Sequence, residues 1–199
     1  MFDDADQLKA EIRALTPEDF FDTYLSSGHS QHFEEDRLAY FCQAFTESFH
    51  VDLTHNSVIM VGSAKLGFAM HEKKKPDRTL AAFRPFSARS DIDLTICHPE
   101  LFEKIWFELS AHACLQNYMP WRHGNLADYL MYGWLRPDKF PKGIALTHCD
   151  KFYETVGKLR RNRSKGHPKL SVALFYSAEQ LKRYQAKGIR ACRARLEVT

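Results

Sequence analysis

Two carboxylates stand two residues apart in the stretch Ser90-Asp91-Ile92-Asp93-Leu94-Thr95-Ile96-Cys97. The run is otherwise rich in β-branched and apolar residues, which predicts a strand. Residues i and i+2 of a strand share a face, so Asp91 and Asp93 project to one side while Ile92, Leu94 and Ile96 point into a core. Such a pair repels itself unless a cation sits between the acids, and hard oxygen ligands of this kind suit Mg²⁺ or Mn²⁺. A surface strand whose exposed face happens to carry two acids is the plainer alternative.

Upstream, Ser57–Val61 is an almost wholly apolar run that reads as a buried strand. It breaks at Gly62-Ser63 and continues as Ala64-Lys65-Leu66-Gly67-Phe68-Ala69. A strand that turns through Gly-Ser into a helix exposes backbone N–H groups and a hydroxyl. Glycine permits close approach of a phosphate, and the helix start favours negative charge. Lys65 can reach a phosphate from the first helical turn or simply face solvent. Between the two stretches, Met70–Arg89 reads as a loop carrying Lys73, Lys74, Lys75, Arg78, Arg84 and Arg89, broken by Pro76 and Pro85. Arg84 and Arg89 are the candidates to face a phosphate, against the alternative of a solvated loop.

The elements that must position these residues follow from periodicity and caps. Gln7–Ala14 is a short amphipathic helix, and Thr16-Pro17-Glu18-Asp19 starts a second one that runs to about Ser26, with Gly28 ending it. Phe33, Leu38, Phe41, Phe45 and Phe49 recur at helical spacing over Ser30–His50 and read as a core stripe. Pro99 opens a helix to about Leu115. Residues 118–148 are aromatic and irregular, with a short helix at Leu126–Tyr132 and a packed loop at Gly133–Pro141. Asp150–Asn162 is a basic helix, Lys169–Tyr176 a third apolar strand, and Ser177 caps a last helix from Ala178 to about Leu196.

With 199 residues, 44% hydrophobic and 27% charged, the chain reads as globular, and no apolar run approaches the length of a membrane span. The acidic start, Met1-Phe2-Asp3-Asp4, lacks a signal-peptide core, which implies a cytoplasmic location. The five cysteines are scattered and never spaced as CxxC, so they read as reduced thiols without a disulfide or zinc framework. The net charge of +3 hides an asymmetry: residues 1–50 hold 3 basic and 11 acidic side chains, residues 151–199 hold 13 and 3. Either the two ends face each other across the fold, or the basic end offers a surface to a polyanion.

The order of parts resembles the nucleotidyltransferase fold of the DNA polymerase β superfamily. The resemblance rests on Val61-Gly62-Ser63 and Ser90-Asp91-Ile92-Asp93-Leu94 on successive strands, and the order of elements extends it over residues 30–196. The basic loop between the motifs and the wording around Leu101, Phe102 and Trp106 are similar to small bacterial nucleotidyltransferase-like proteins, whose relatives often sit in defence or toxin–antitoxin loci. The resemblance implies an α+β fold, a small mixed sheet flanked by helices, with a helical extension over residues 1–29 and an aromatic insertion over about 118–168. It further implies Mg²⁺ or Mn²⁺ on Asp91 and Asp93, and a nucleoside triphosphate contacted by Gly62, Ser63, Lys65, Arg84, Arg89 and Ser90. The nucleotidyl group would pass to a hydroxyl of RNA, a protein or a small molecule.

A second reading keeps the fold without turnover, as a nucleic-acid- or partner-binding module using Lys158, Arg160, Arg161, Arg163, Lys165 and Lys169. An ordinary solvated basic helix is the plain counterpart of that reading. Active members of the superfamily bring a third carboxylate from a later strand. Neither face of Lys169–Tyr176 carries an acid, and Asp138, Asp150 and Glu154 are the nearest acids in sequence. The expected behaviour is metal-dependent nucleotide binding with slow turnover, unless one of those acids or a partner completes the site.

Overall fold

The structure, a computed structural model, describes residues 1–26, 33–115, 126–162, 164, 167 and 169–198. Helix α1 (Ala5–Ala14) starts where the Asp4 carboxylate accepts from the Gln7 N–H at 2.8 Å, and α2 (Pro17–Tyr24) where the Thr16 hydroxyl oxygen accepts from the Asp19 N–H at 3.1 Å. The predicted helix ends at Gly28 and Ser30 lie outside the described residues. Helix α3 (Glu35–Phe49) buries Leu38, Phe41, Phe45 and Phe49, as the stripe requires, and Phe33 is buried just before the helix begins.

Strand β1 (Val58–Val61) leads into the single turn α4 (Ser63–Leu66), which Gly67 ends at a φ of 89°. The stretch expected to be a basic loop is instead an arm of two nested ladders. Strand β2 (Phe68–Ala69) pairs with β5 (Arg84–Pro85), and within them β3 (Lys73–Lys74) pairs with β4 (Thr79–Leu80). Then follow β6 (Ile92–Cys97), α5 (Pro99–Leu115), α6 (Leu126–Leu130), β7 (Trp134–Leu135), α7 (Thr147–Arg161), β8 (Leu170–Phe175) and α8 (Ala178–Val198). Helix α7 begins before Asp150 because the Glu108 carboxylate accepts the His148 and Cys149 N–H groups at 2.9–3.0 Å, an N-terminal cap supplied from α5. Strand β7 rises from the stretch expected to be a packed loop.

The molecule is α+β, with a small mixed sheet flanked by helices. Strand order is β1-β6-β8-β7, with β1 antiparallel to β6, β6 parallel to β8 and β7 antiparallel to β8. One face, bearing Val58, Met60, Ile92, Leu94, Ile96, Leu170, Val172 and Leu174, packs on α3, α5 and α7, where Phe45 and Phe152 meet at 5.3 Å. The other face, with Ile59, Val61, Cys97 and Phe175, shares a core with Leu8, Ile12, Phe20, Phe21 and Leu181 of α1, α2 and α8. Among the described residues no helix is long and apolar enough to cross a membrane.

Part of the charge asymmetry is met inside the chain. Arg190 of α8 pairs with Glu18 at 2.7 Å and Lys182 with Asp22, while Arg193 Nε donates to the Ile12 carbonyl at 2.7 Å and Arg13 to the Leu196 carbonyl at 3.1 Å. The exposed pairs contribute little individually. Apolar burial holds the layer together, and the charges select which helices meet.

The first two helices are therefore part of the core. Phe20 is fully buried, and Phe20→Ala is expected to lower global stability by about 3–5 kcal/mol in one cooperative transition. Coincident unfolding by circular dichroism and by tryptophan fluorescence checks this; separate transitions would show that α1 and α2 fold apart from the sheet.

Candidate functional site

The register of β1 against β6 places Val61 opposite Asp93, so the chain leaving β1 passes directly over the Asp93 side chain. Gly62 has a φ of 73°, and a Cβ built there would lie 2.9 Å from Asp93 Oδ2. Only glycine accepts that backbone and that approach. The parallel register of β6 with β8 sets Ser171 beside Asp93. Asp93, Thr95 and Ser171 thus interrupt with polar groups the sheet face that α1, α2 and α8 otherwise cover with apolar ones.

Two clefts meet at Asp93, and both are walled by Val61, Tyr184 and Gln185. The first, about 550 Å³, runs past Gly62, Ser63, His71, Lys73, Arg84 and Lys187. Arg84 is held there by donating to the carbonyls of His71 at 2.9 Å and Ala81 at 2.8 Å, and Lys187 by donating to the Tyr132 hydroxyl at 2.7 Å. The second cleft, about 620 Å³, lies toward Trp134, Arg136, Asp138, Lys142, Tyr153, Arg160 and Ser171.

Burial raises the pKa of the half-buried Asp93 to about 6; the Ser171 hydrogen bond opposes that shift, the Asp91 charge adds to it and Lys73 opposes it. The two aspartates are unequal partners. Asp91 precedes the strand, is exposed and lines neither cleft. Among the described residues no group of three or more His, Cys, Asp or Glu side chains is placed to hold a metal. Two carboxylates and the Ser171 hydroxyl are too few donors for a bare Mg²⁺. They fit an ion that arrives with phosphate oxygens and waters already attached.

Of the residues singled out in the sequence, Gly62, Ser63, Arg84 and Asp93 come together. Lys65 does not: it is buried, burial lowers its pKa, and it lines neither cleft. Two positions along a helix turn a side chain by about 200°, so Lys65 faces away from Ser63. Ser90 closes a turn instead, its N–H donating to the Ser87 carbonyl at 2.8 Å and its hydroxyl accepting from the Ser87 N–H at 3.1 Å. It borders a separate recess with Arg37 and His167. Arg89 is exposed within that turn and lines none of these clefts.

On the basic helix, Lys158 and Arg161 are exposed, while Arg160 Nε donates to the Leu170 carbonyl at 2.7 Å. Lys169 donates to the Ala88 carbonyl at 3.0 Å, and Arg163 and Lys165 lie outside the described residues. Of the three acids nearest in sequence to the third strand, Asp138 reaches the second cleft but is held bidentately by Arg136 at 2.7 and 2.9 Å. Asp150 accepts from the Leu146 N–H at 3.1 Å, and Glu154 is exposed. Lys187, Tyr184 and Gln185 carry no local signal. They enter the site only because α8 crosses the sheet. No protein-family model, curated protein or solved structure matches this chain.

Because the folded state raises the Asp93 pKa from 3.8 to about 6, its ionisation opposes folding. The penalty is absent below about pH 4, where folded and unfolded chains are both protonated, and is complete above about pH 6. Asp93→Asn is therefore expected to stabilise the protein at pH 8 by on the order of 2 kcal/mol, with the gain gone at pH 4. Urea denaturation at the two pH values measures it. An equal gain at both would locate the effect elsewhere than in the charge.

Proposed function

We propose that this protein binds a nucleoside triphosphate together with Mg²⁺ or Mn²⁺ at Asp91 and Asp93, as a nucleotidyltransferase-type domain whose transfer step is slow. The observation that carries the reading is the Asp93 carboxylate pressed against Gly62 at the head of a cleft lined by Ser63, Lys73, Arg84 and Lys187. Support also comes from the strand order, with the Gly-Ser turn ending β1, the aspartates at the head of β6 and a parallel β8 beside it.

The divalent ion, when bound with the triphosphate, neutralises charge on the phosphates. The Ser63 hydroxyl, at the turn out of β1, takes the terminal phosphates. Arg84, Lys73 and Lys187 balance their charge. In transfer, an acceptor hydroxyl oxygen bonds to the α-phosphorus, the bond to the β-phosphate oxygen breaks and pyrophosphate leaves. The hydroxyl proton needs a base. The position on β8 beside Asp93 is Ser171, which at neutral pH is no base, so that step lacks its usual assistance. The alternative of a purely nucleic-acid-binding module has less behind it. Lys169 donates to a backbone carbonyl, and Lys182, Arg190 and Arg193 of the last helix engage α1 and α2.

Calorimetric titration with each of the four nucleoside triphosphates, with and without Mg²⁺, is expected to give binding only when metal and nucleotide are both present. The Asp91→Ala, Asp93→Ala double variant should lose it while staying folded. Ser171→Asp is expected to raise turnover by at least about tenfold, and Asp138→Ala to leave it unchanged. Failure of every triphosphate to bind in the presence of metal would end this reading.

A further inference from the structure

The second cleft has no part in holding the triphosphate, yet it opens onto the same Asp93 and Ser171. Its floor follows from the topology. Strand β7 pairs with Leu174 and Phe175 of β8, so the earlier residues Ser171 to Ala173 border the cleft. Two cations stand along this opening. Lys142 is exposed, and Arg160 is anchored through its Nε to the Leu170 carbonyl, which leaves the Nη groups of its planar fork available. Among the described residues neither meets a carboxylate in an ion pair. The third cation, Arg136, is already satisfied by Asp138 and lies over the rings of Tyr129 at 4.5 Å and Trp134 at 5.2 Å.

Part of the remaining lining is aromatic, among aliphatic and small polar side chains. Tyr153 is fixed by donating to the Pro137 carbonyl, and Tyr184 stands edge-on to Trp134 at 4.9 Å. The cavity of about 620 Å³ is much larger than a lone anion needs. Two cations without carboxylate partners, set beside aromatic rings, describe a ligand with a dianionic head and a flat body.

We propose that the second cleft binds an aromatic phosphate monoester, the phosphate held by Lys142 and Arg160: a nucleoside monophosphate, free or as the phosphorylated end of a nucleic acid. That this ligand is the second substrate rests on the nucleotidyl-transfer reading above; its binding does not. Because the contacts are protein cations, binding needs no metal, which separates this cleft from the triphosphate site.

The test is titration of the full chain with adenosine 5′-monophosphate in the presence of EDTA, followed by calorimetry and by tryptophan fluorescence. Saturable binding is expected, weakened about tenfold by Lys142→Ala and by Arg160→Ala and unchanged by Arg84→Ala in the other cleft. Lys142 is exposed, so its variant remains a valid test even where loss of the Arg160 anchor on β8 disturbs folding. A 5′-phosphorylated trinucleotide in parallel distinguishes the sources: tighter binding than the mononucleotide marks a nucleic-acid end, equal binding a free nucleotide. Absence of binding by both probes, or binding that Lys142→Ala leaves intact, overturns the proposal whether or not the metal-dependent triphosphate site is found.

Discussion

The arrangement of this molecule depends on the contact between Gly62 and the Asp93 carboxylate. A side chain at Gly62 would meet Oδ2 at 2.9 Å in a backbone conformation that L-residues rarely adopt. The turn out of β1 is thereby confined to glycine, and the carboxylate is pressed under the start of α4. The same closeness half-buries Asp93 and raises its pKa, so the group that gives the site its chemistry also opposes folding. Such local conflict between stability and chemistry is expected where a site is built for a charged ligand. The fold tolerates it because the rest of the sheet is conventional: one face is wholly apolar against α3, α5 and α7, and the other is apolar except around Asp93, Thr95 and Ser171.

The second layer of helices is what turns a polar spot into clefts. Helix α8 passes over the sheet and leaves Tyr184 and Gln185 above Asp93, dividing the space into two openings. Its position is set from the far end of the chain, by the apolar faces of α1 and α2 and by the pairs from Arg190 to Glu18 and Lys182 to Asp22. The amino-terminal residues reach the site from another side as well. The Phe2 N–H donates to the Leu66 carbonyl at 3.0 Å, and Gly67 lies against Met1 and Phe2. Two pairs of opposite charge thus help to assemble the wall of the site.

The composition of the two clefts differs in a way that bears on their ligands. The first has three cationic side chains, the Ser63 hydroxyl and a glycine turn beside the carboxylates of Asp93 and Glu72. The second has several aromatic rings and two cations without acidic partners. At the boundary, the β8 position beside Asp93 carries the Ser171 hydroxyl.

Local sequence determined the long helices and the strands β1, β6 and β8, the apolar stripe leading into and along α3, and the placement of a glycine turn and an acidic strand on neighbouring elements, but not the ladders of β2–β5 or strand β7. Those depend on periodicities and caps that act within a few residues. It also located Asp93, Gly62, Ser63 and Arg84, because strand alternation and the Gly-Ser break are local signals. The tertiary structure alone decided the remainder. Lys65 turned inward because a single helical turn rotates it away from Ser63, and Ser90 and Arg89 were drawn into a turn behind the strand. Asp91 lay beyond the strand's paired end, so two carboxylates equal in sequence became unequal in burial. Lys187, Tyr184 and Gln185 reached the site from a helix more than ninety positions later than Asp93, and the two clefts exist only where that helix crosses the sheet. Contacts of that kind are set by how layers pack, and no periodicity within one segment encodes them.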